Sequence, residues 1–132
     1  MTNASHKNTT ILCIDDDESI LNYEKMLLER AGYAVVTAAS ADQALILATM
    51  CEIDAVLLDY EMPGMNGDLI ALEIKRRKPE LRIILLSGSV VPSHALTLVD
   101  AFVHKVDASR ELLPMIADLG IRTPQQRRGL AE

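Results

Sequence analysis

Residues 55–67 read Ala55-Val-Leu-Leu-Asp59-Tyr-Glu-Met-Pro63-Gly-Met-Asn-Gly67. An aliphatic run from Ala55 to Leu58 without polar interruption suits a strand buried on both faces, as in a parallel sheet. Asp59 ends that run, and Pro63, Gly64 and Gly67 supply the turn chemistry of a loop. Gly67 then opens a helical pattern, with Asp68 near its positive end, that closes on Lys75, Arg76, Arg77 and Lys78 before Pro79.

The same alternation continues on both sides of this unit. Ile11 to Ile14, Ala34 to Ala38 and Ile83 to Leu86 are further aliphatic strands, and Ala101 to His104 is a weaker fifth. A first helix is expected over Glu18 to Ala31, with Ile20, Leu27 and Ala31 on the packed stripe, Asn22, Lys25, Glu29 and Arg30 outside it, and Gly32 as C-terminal cap. Ser40 is the expected N-cap of the second helix, which packs through Ala44, Leu45, Leu47 and Ala48. The fourth helix, around Ser93 to Val99, is short. The last starts near Asp107 or Ser109 and stops by Gly120, with Pro114 expected to interrupt it. Five strands alternating with five helices make a doubly wound α/β domain.

Composition agrees with one such domain. The chain has 132 residues, 49% hydrophobic and 24% charged, enough to bury a core without disulfides or a structural metal. That core is aliphatic, because Tyr23, Tyr33, Tyr60 and Phe102 are the only aromatic residues. Up to Gly120 there are 10 basic and 18 acidic residues, and beyond it 3 and 1. An acidic body argues against direct nucleic-acid binding, which draws on basic residues that displace counterions. No apolar run is long enough to insert in a membrane, and the polar start carries no secretory signal, so a cytoplasmic protein is expected. Cys13 and Cys51 have no metal-ligand spacing and read as small core residues.

Ligands of doubly wound sheets bind at the carboxyl ends of the strands. There the sequence places Asp15, Asp16 and Asp17 after strand one, Asp59 after strand three, Ser87 after strand four and Lys105 after strand five. Asp17 suits the N-cap of the first helix. Carboxylates of adjacent strands repel and raise one another's pKa, a penalty that a bound cation removes. Hard oxygen ligands favour Mg²⁺ or Mn²⁺ over Zn²⁺, and such ions keep positions open for water and phosphate oxygens. Ser87 and Lys105 then have the chemistry to meet a phosphoryl group.

Four ordered blocks, Ile11 to Asp17, Leu57 to Gly67, Ile84 to Gly88 and Phe102 to Lys105, resemble the receiver domain of two-component response regulators over about Thr10 to Leu119. The resemblance implies the flavodoxin-like (βα)5 fold, strand order 2-1-3-4-5. It implies that Asp59 is the phosphoacceptor, taking a phosphoryl group from a phosphohistidine. Mg²⁺ would be held by Asp16, Asp59 and the backbone carbonyl of Glu61, with Asp15 acting through water. Lys105, the Ser87 hydroxyl and the Gly88 N–H would bind the phosphoryl oxygens. Ser87 and Phe102 would be the switch pair, altering the face of helix four, strand five and helix five. The implied partners are a sensor histidine kinase or histidine phosphotransfer protein and a separate downstream effector, with phosphorylation-dependent dimerisation left open. Such a domain is a signalling switch that catalyses its own phosphorylation and dephosphorylation, and is not otherwise an enzyme.

On this reading residues 1–9 are a flexible segment, 10–120 a stand-alone receiver and 121–132 a flexible polar tail. The family's usual Pro after the strand-five Lys is replaced by Val106, so a trans Lys105–Val106 peptide is expected. Two rivals remain. A receiver-like module that binds without phosphorylation would not need the full set of Asp15, Asp16, Asp59, Ser87 and Lys105. A phosphatase of the haloacid dehalogenase type would carry a second Asp where Glu61 stands, and a cap for which 132 residues leave no room.

Overall fold

The computed structural model describes residues 8–131 apart from Met65; residues 1–7 of the expected N-terminal segment lie outside the described residues. Five strands, β1 (Thr10–Ile14), β2 (Ala34–Ala38), β3 (Ala55–Asp59), β4 (Arg82–Ser87) and β5 (Ala101–His104), pair parallel in the order β2-β1-β3-β4-β5. The intervening helices are α1 (Glu18–Arg30), α2 (Ala41–Met50), α3 (Gly67–Arg77), the single turn α4 (Ser93–Leu96) and, after a 3₁₀ turn over Lys105–Asp107, α5 (Ala108–Asp118). This is the flavodoxin-like arrangement expected from the resemblance. Among the described residues no helix is long and apolar enough to cross a membrane.

Period-two alternation along the central strands builds two cores. Leu12, Ile14, Val56, Leu58, Ile83 and Leu85 pack on one sheet face with Ala44, Ile70 and Ile74. Ile11, Cys13, Leu57, Ile84 and Leu86 pack on the other with Leu28, Leu112 and Ile116. Each fully buried Leu or Ile contributes about 1.5–3 kcal/mol, and β3 is buried along its whole length. β2 is an edge strand, so four of its five residues are only half-buried, not enclosed on both faces as its aliphatic run suggests.

Helix ends follow their caps. The Asp17 carboxylate accepts from Ser19 N, and the Ser40 hydroxyl from Gln43 N, as expected for both. α1, however, buries Leu21, Glu24 and Leu28 in place of the expected Ile20–Leu27–Ala31 stripe. The observed stripe is rotated by less than one residue from the expected one, and Glu24 lies on the edge the two share. α5 runs through Pro114. The carbonyl of Arg110, which Pro114 cannot bond, belongs to an exposed residue open to solvent, so the helix can continue at small cost.

Where a polar tail is expected after Gly120, the structure forms a sixth helix, α6 (Pro124–Ala131). α5 ends in a Schellman turn: Gly120, at φ +84°, donates its N–H to Ala117 O and Ile121 N–H to Ile116 O. Thr123 and Gln126 then form a reciprocal capping box, with Pro124 at the first helical position. Tyr33 donates its hydroxyl to Ile121 O at 2.8 Å, and Thr9 donates to Arg122 O while accepting from Arg127 Nη2. Polar composition concealed a segment tied to the start of β1.

The amino ends of β4 and β5 are joined through Asp100. Its carboxylate accepts from Lys75 Nζ and from Ile83 N, both at 2.8 Å, and Arg82 lies 3.5 Å away. Burial opposes its charge, but the bonds from Lys75 and Ile83 outweigh that and hold the carboxyl below its ordinary pKa.

Candidate functional site

Strand register creates the site. Ile14 pairs with Leu58, so the next residues, Asp15 and Asp59, stand side by side at the carboxyl edge. They are 1% and 3% exposed, whereas Asp16 is solvent-exposed. Ligand oxygens of Asp15, Asp16 and Asp59 all lie within 4.8 Å of one another. Beyond β5, Lys105 reaches in: its Nζ is 3.0 Å from Asp59 Oδ1 and 3.3 Å from Asp15 Oδ2. The structure therefore brings together four of the residues singled out from sequence.

Local bonds fix these groups. Asp15 Oδ1 accepts from Asp17 N at 2.9 Å, and the Glu61 N–H points to Asp59 Oδ1 at 3.4 Å. Gly67 donates its N–H to Tyr60 O at 2.7 Å. A Cβ on Gly67 would lie 2.7 Å from Tyr60 Cα and 3.0 Å from Asp59 O, so only glycine allows α3 to start this close to the acceptor loop.

Ser87 is fully buried, and its hydroxyl turns into its own loop, donating to Ser89 O and accepting from Ser89 N, both at 3.0 Å. Gly88 is exposed, and the space a Cβ would take there is open. Phe102 is half-buried, its ring edge-on to His104 at 4.8 Å between centroids. Val106 is 86% exposed beside Lys105, and no described peptide bond, Lys105–Val106 included, is cis.

The electrostatics are those of a site short of positive charge. Burial, aided by the Asp15 charge, pushes Asp59 up to about 6 against the opposing pull of Lys105. Burial disfavours the Lys105 ammonium too, yet its bond to Asp59 and the charges of Asp59 and Asp15 raise its pKa. Among the described residues Lys105 is the one cation paired with these acids. Asp15 Oδ2 is buried and has no hydrogen-bond partner. An orphaned buried carboxylate oxygen beside two further carboxylates fits a small hard cation, as expected for Mg²⁺.

Glu24 escaped the sequence reading. It is 4% exposed on the inward face of α1, which packs on the same core as Cys13 of β1. Burial first, then the charge of Asp15, push Glu24 up to about 8, and burial together with Glu24 raises Cys13 well above the ordinary thiol value. Its signal was present: Leu21 and Leu28, seven residues apart, bracket Glu24 on one helix face.

Residues 11–116 match the family model described as the response regulator receiver domain. The response regulator SaeR of Staphylococcus aureus (strain USA300) is 35% identical over 115 residues, covering 84% of this chain and 50% of SaeR; the chain thus spans about half the length of that relative. Among solved structures, the response regulator TrrA of Thermotoga maritima in complex with Mg²⁺–BeF aligns with TM-score 0.77 and 33% identity, covering 84% of this chain and 98% of that one. The complex of histidine kinase ThkA with TrrA gives TM-score 0.78 and 32% identity, covering 84% and 97%.

Proposed function

This chain belongs to the response regulator receiver domain family, and on that footing we propose that Asp59 accepts a phosphoryl group from a phosphohistidine of a kinase or phosphotransfer protein. An Asp59 carboxylate oxygen forms the new O–P bond as the donor N–P bond breaks, and the imidazole departs. Asp16, Asp59 and the backbone carbonyl of Glu61 hold Mg²⁺, with Asp15 acting through water. The ion supplies neutralising charge for the transferred oxygens. Lys105 moves its hydrogen bond from Asp59 to a phosphoryl oxygen. The observation that carries this reading is Lys105 Nζ at 3.0 Å from Asp59 Oδ1, beside the orphaned oxygen of Asp15.

The switch follows from Ser87. Its hydroxyl leaves Ser89 for the phosphoryl group, next to the Gly88 N–H, and the loop after β4 shifts with it. Phe102 repacks into the space released and alters the α4–β5–α5 face for an effector. Dephosphorylation by water uses the same groups, and Glu61, beside the acceptor, hinders that water electrostatically. The Mg²⁺–BeF complex of TrrA supports the cation, and the ThkA–TrrA complex supports a kinase partner.

Incubation with Mg²⁺ and acetyl phosphate, read by intact mass, tests the proposal. One added phosphoryl group on the parent chain, absent in Asp59→Asn and without the cation, is the expected result. No adduct on the parent would favour a binding module that is not phosphorylated.

A further inference from the structure

We propose that Glu24 is a fourth acid of the cation site: without being a ligand, it strengthens the hold of Asp15, Asp16 and Asp59 on a divalent cation from beneath. This rests on the cation reading of the site given above.

Glu24 occupies a core position. Leu21 and Leu28 flank it on the same buried stripe, where an aliphatic side chain would satisfy packing without any charge. Leu21 and Leu28 share their core with Cys13, which is fully buried on β1 two residues before Asp15 and on the same sheet face. The charged groups facing Glu24 are Asp15, Asp59 and Lys105. Lys105 is already divided between the two aspartates, at 3.0 and 3.3 Å. Three buried carboxyl groups thus confront one ammonium, and a carboxylate buried without a cation of its own destabilises the fold.

Asp15 Oδ2, buried and without a hydrogen bond although Lys105 Nζ lies 3.3 Å away, offers a lone pair still open to a second cation. A divalent ion there answers Glu24 as well as its ligands, because the low-dielectric interior between them screens little. The strain that Glu24 imposes on the cation-free protein is returned as affinity when the ion binds.

Calorimetric titration with MgCl₂ and thermal melts with and without Mg²⁺, on the full chain at one pH above about 8, where Glu24 is ionised, test this. Glu24→Gln and Glu24→Leu should melt higher than the parent without cation and bind Mg²⁺ at least about fivefold more weakly, the low end of ordinary coupling between sites. Glu29→Gln, which makes the same change of formal charge on the exposed face of α1 beside Lys25, should stay within about twofold. Glu24 variants that bind within twofold of the parent, or more tightly, overturn the inference whatever their melting temperature. Weaker binding together with a lower cation-free melting temperature overturns it too, since damaged α1–β1 packing would do the same. A parent that binds no Mg²⁺ instead defeats the cation reading of the site, before any variant is compared.

Discussion

Lys105 Nζ and Asp59 Oδ1 are 3.0 Å apart across the carboxyl edge of the sheet, although β4 separates the strands they follow. The pair places the proposed phosphoacceptor in contact with the ammonium that, on the proposed function, later leaves it for the phosphoryl group. Replacing that cation exposes the imbalance of the site. In Lys105→Met, Asp15 and Asp59 face each other without an ammonium, so the melting temperature falls in chelator and recovers in large part with Mg²⁺. Labelling of Asp59 by acetyl phosphate slows by at least about tenfold, the usual order for one electrostatic donor. Melts in both conditions and mass-resolved labelling rates check the two halves separately.

Cation binding should depend on pH through Asp59. Its pKa is raised to about 6 in the cation-free fold, and only the deprotonated carboxylate ligates. Mg²⁺ affinity therefore weakens progressively as pH falls through about 6. Calorimetric titrations from pH 5 to pH 8 would show this, and an affinity flat across that range would contradict it.

Glu24 gives stability a slope of its own. Its pKa rises from an ordinary 4.5 to about 8 on folding, so between those values the native state binds more protons than the unfolded chain. Cation-free stability then falls as pH rises through that window, being free of the penalty below about 4.5. Urea unfolding of the parent and Glu24→Gln across the window should diverge, the variant gaining on the parent as pH rises.

Gly67→Ala should damage the acceptor loop without touching an ionisable group. A methyl 2.7 Å from Tyr60 Cα forces α3 or the loop to move, at a cost of about 1–3 kcal/mol. Urea midpoints would register the loss, and slower labelling of Asp59 would show that the loop had carried the acceptor with it. Gly64→Ala acts differently: its neighbourhood is open, and only its φ of +83° opposes a side chain.

Thr123→Ala removes one half of the α6 capping box and should cost about 1 kcal/mol. Hydrogen exchange should rise over residues 124–131, while Mg²⁺ affinity stays at the parent value because α6 is tied to Thr9 and Tyr33, not to the acids.

The site was legible wherever an aliphatic run stopped on a polar residue. Asp59, Ser87 and Lys105 each follow such a run, and the parallel register that unites them is a property of the sheet. Glu24 was not legible in that way: it lies three or four residues from Ile20 and Leu27 as well as from Leu21 and Leu28, and a charged residue at a core position leaves no mark in a hydrophobic pattern. α6 was hidden for a different reason. Its capping box is four residues long, whereas a judgement of tail or helix from composition averages over many more, and Gln125, Gln126, Arg127 and Arg128 dominate that average. The burial of Thr9 and Tyr33, at the other end of the chain, is what holds the helix, and separations of 88 to 118 residues leave no local trace.

Asp100 grips β4 and β5 at the ends farthest from Ser87 and Lys105. The ladder between them runs on to Ser87 and His104, so strands also pinned at their amino ends resist sliding past each other, and whatever gives must do so beyond the ladder. On the proposed function, backbone movement is thereby concentrated in the Gly88–Pro92 loop and the one-turn helix beyond it, while Phe102 answers by repacking its side chain. A phosphoryl group on Asp59 would then be expressed as a local change of surface, with the register of the sheet left intact.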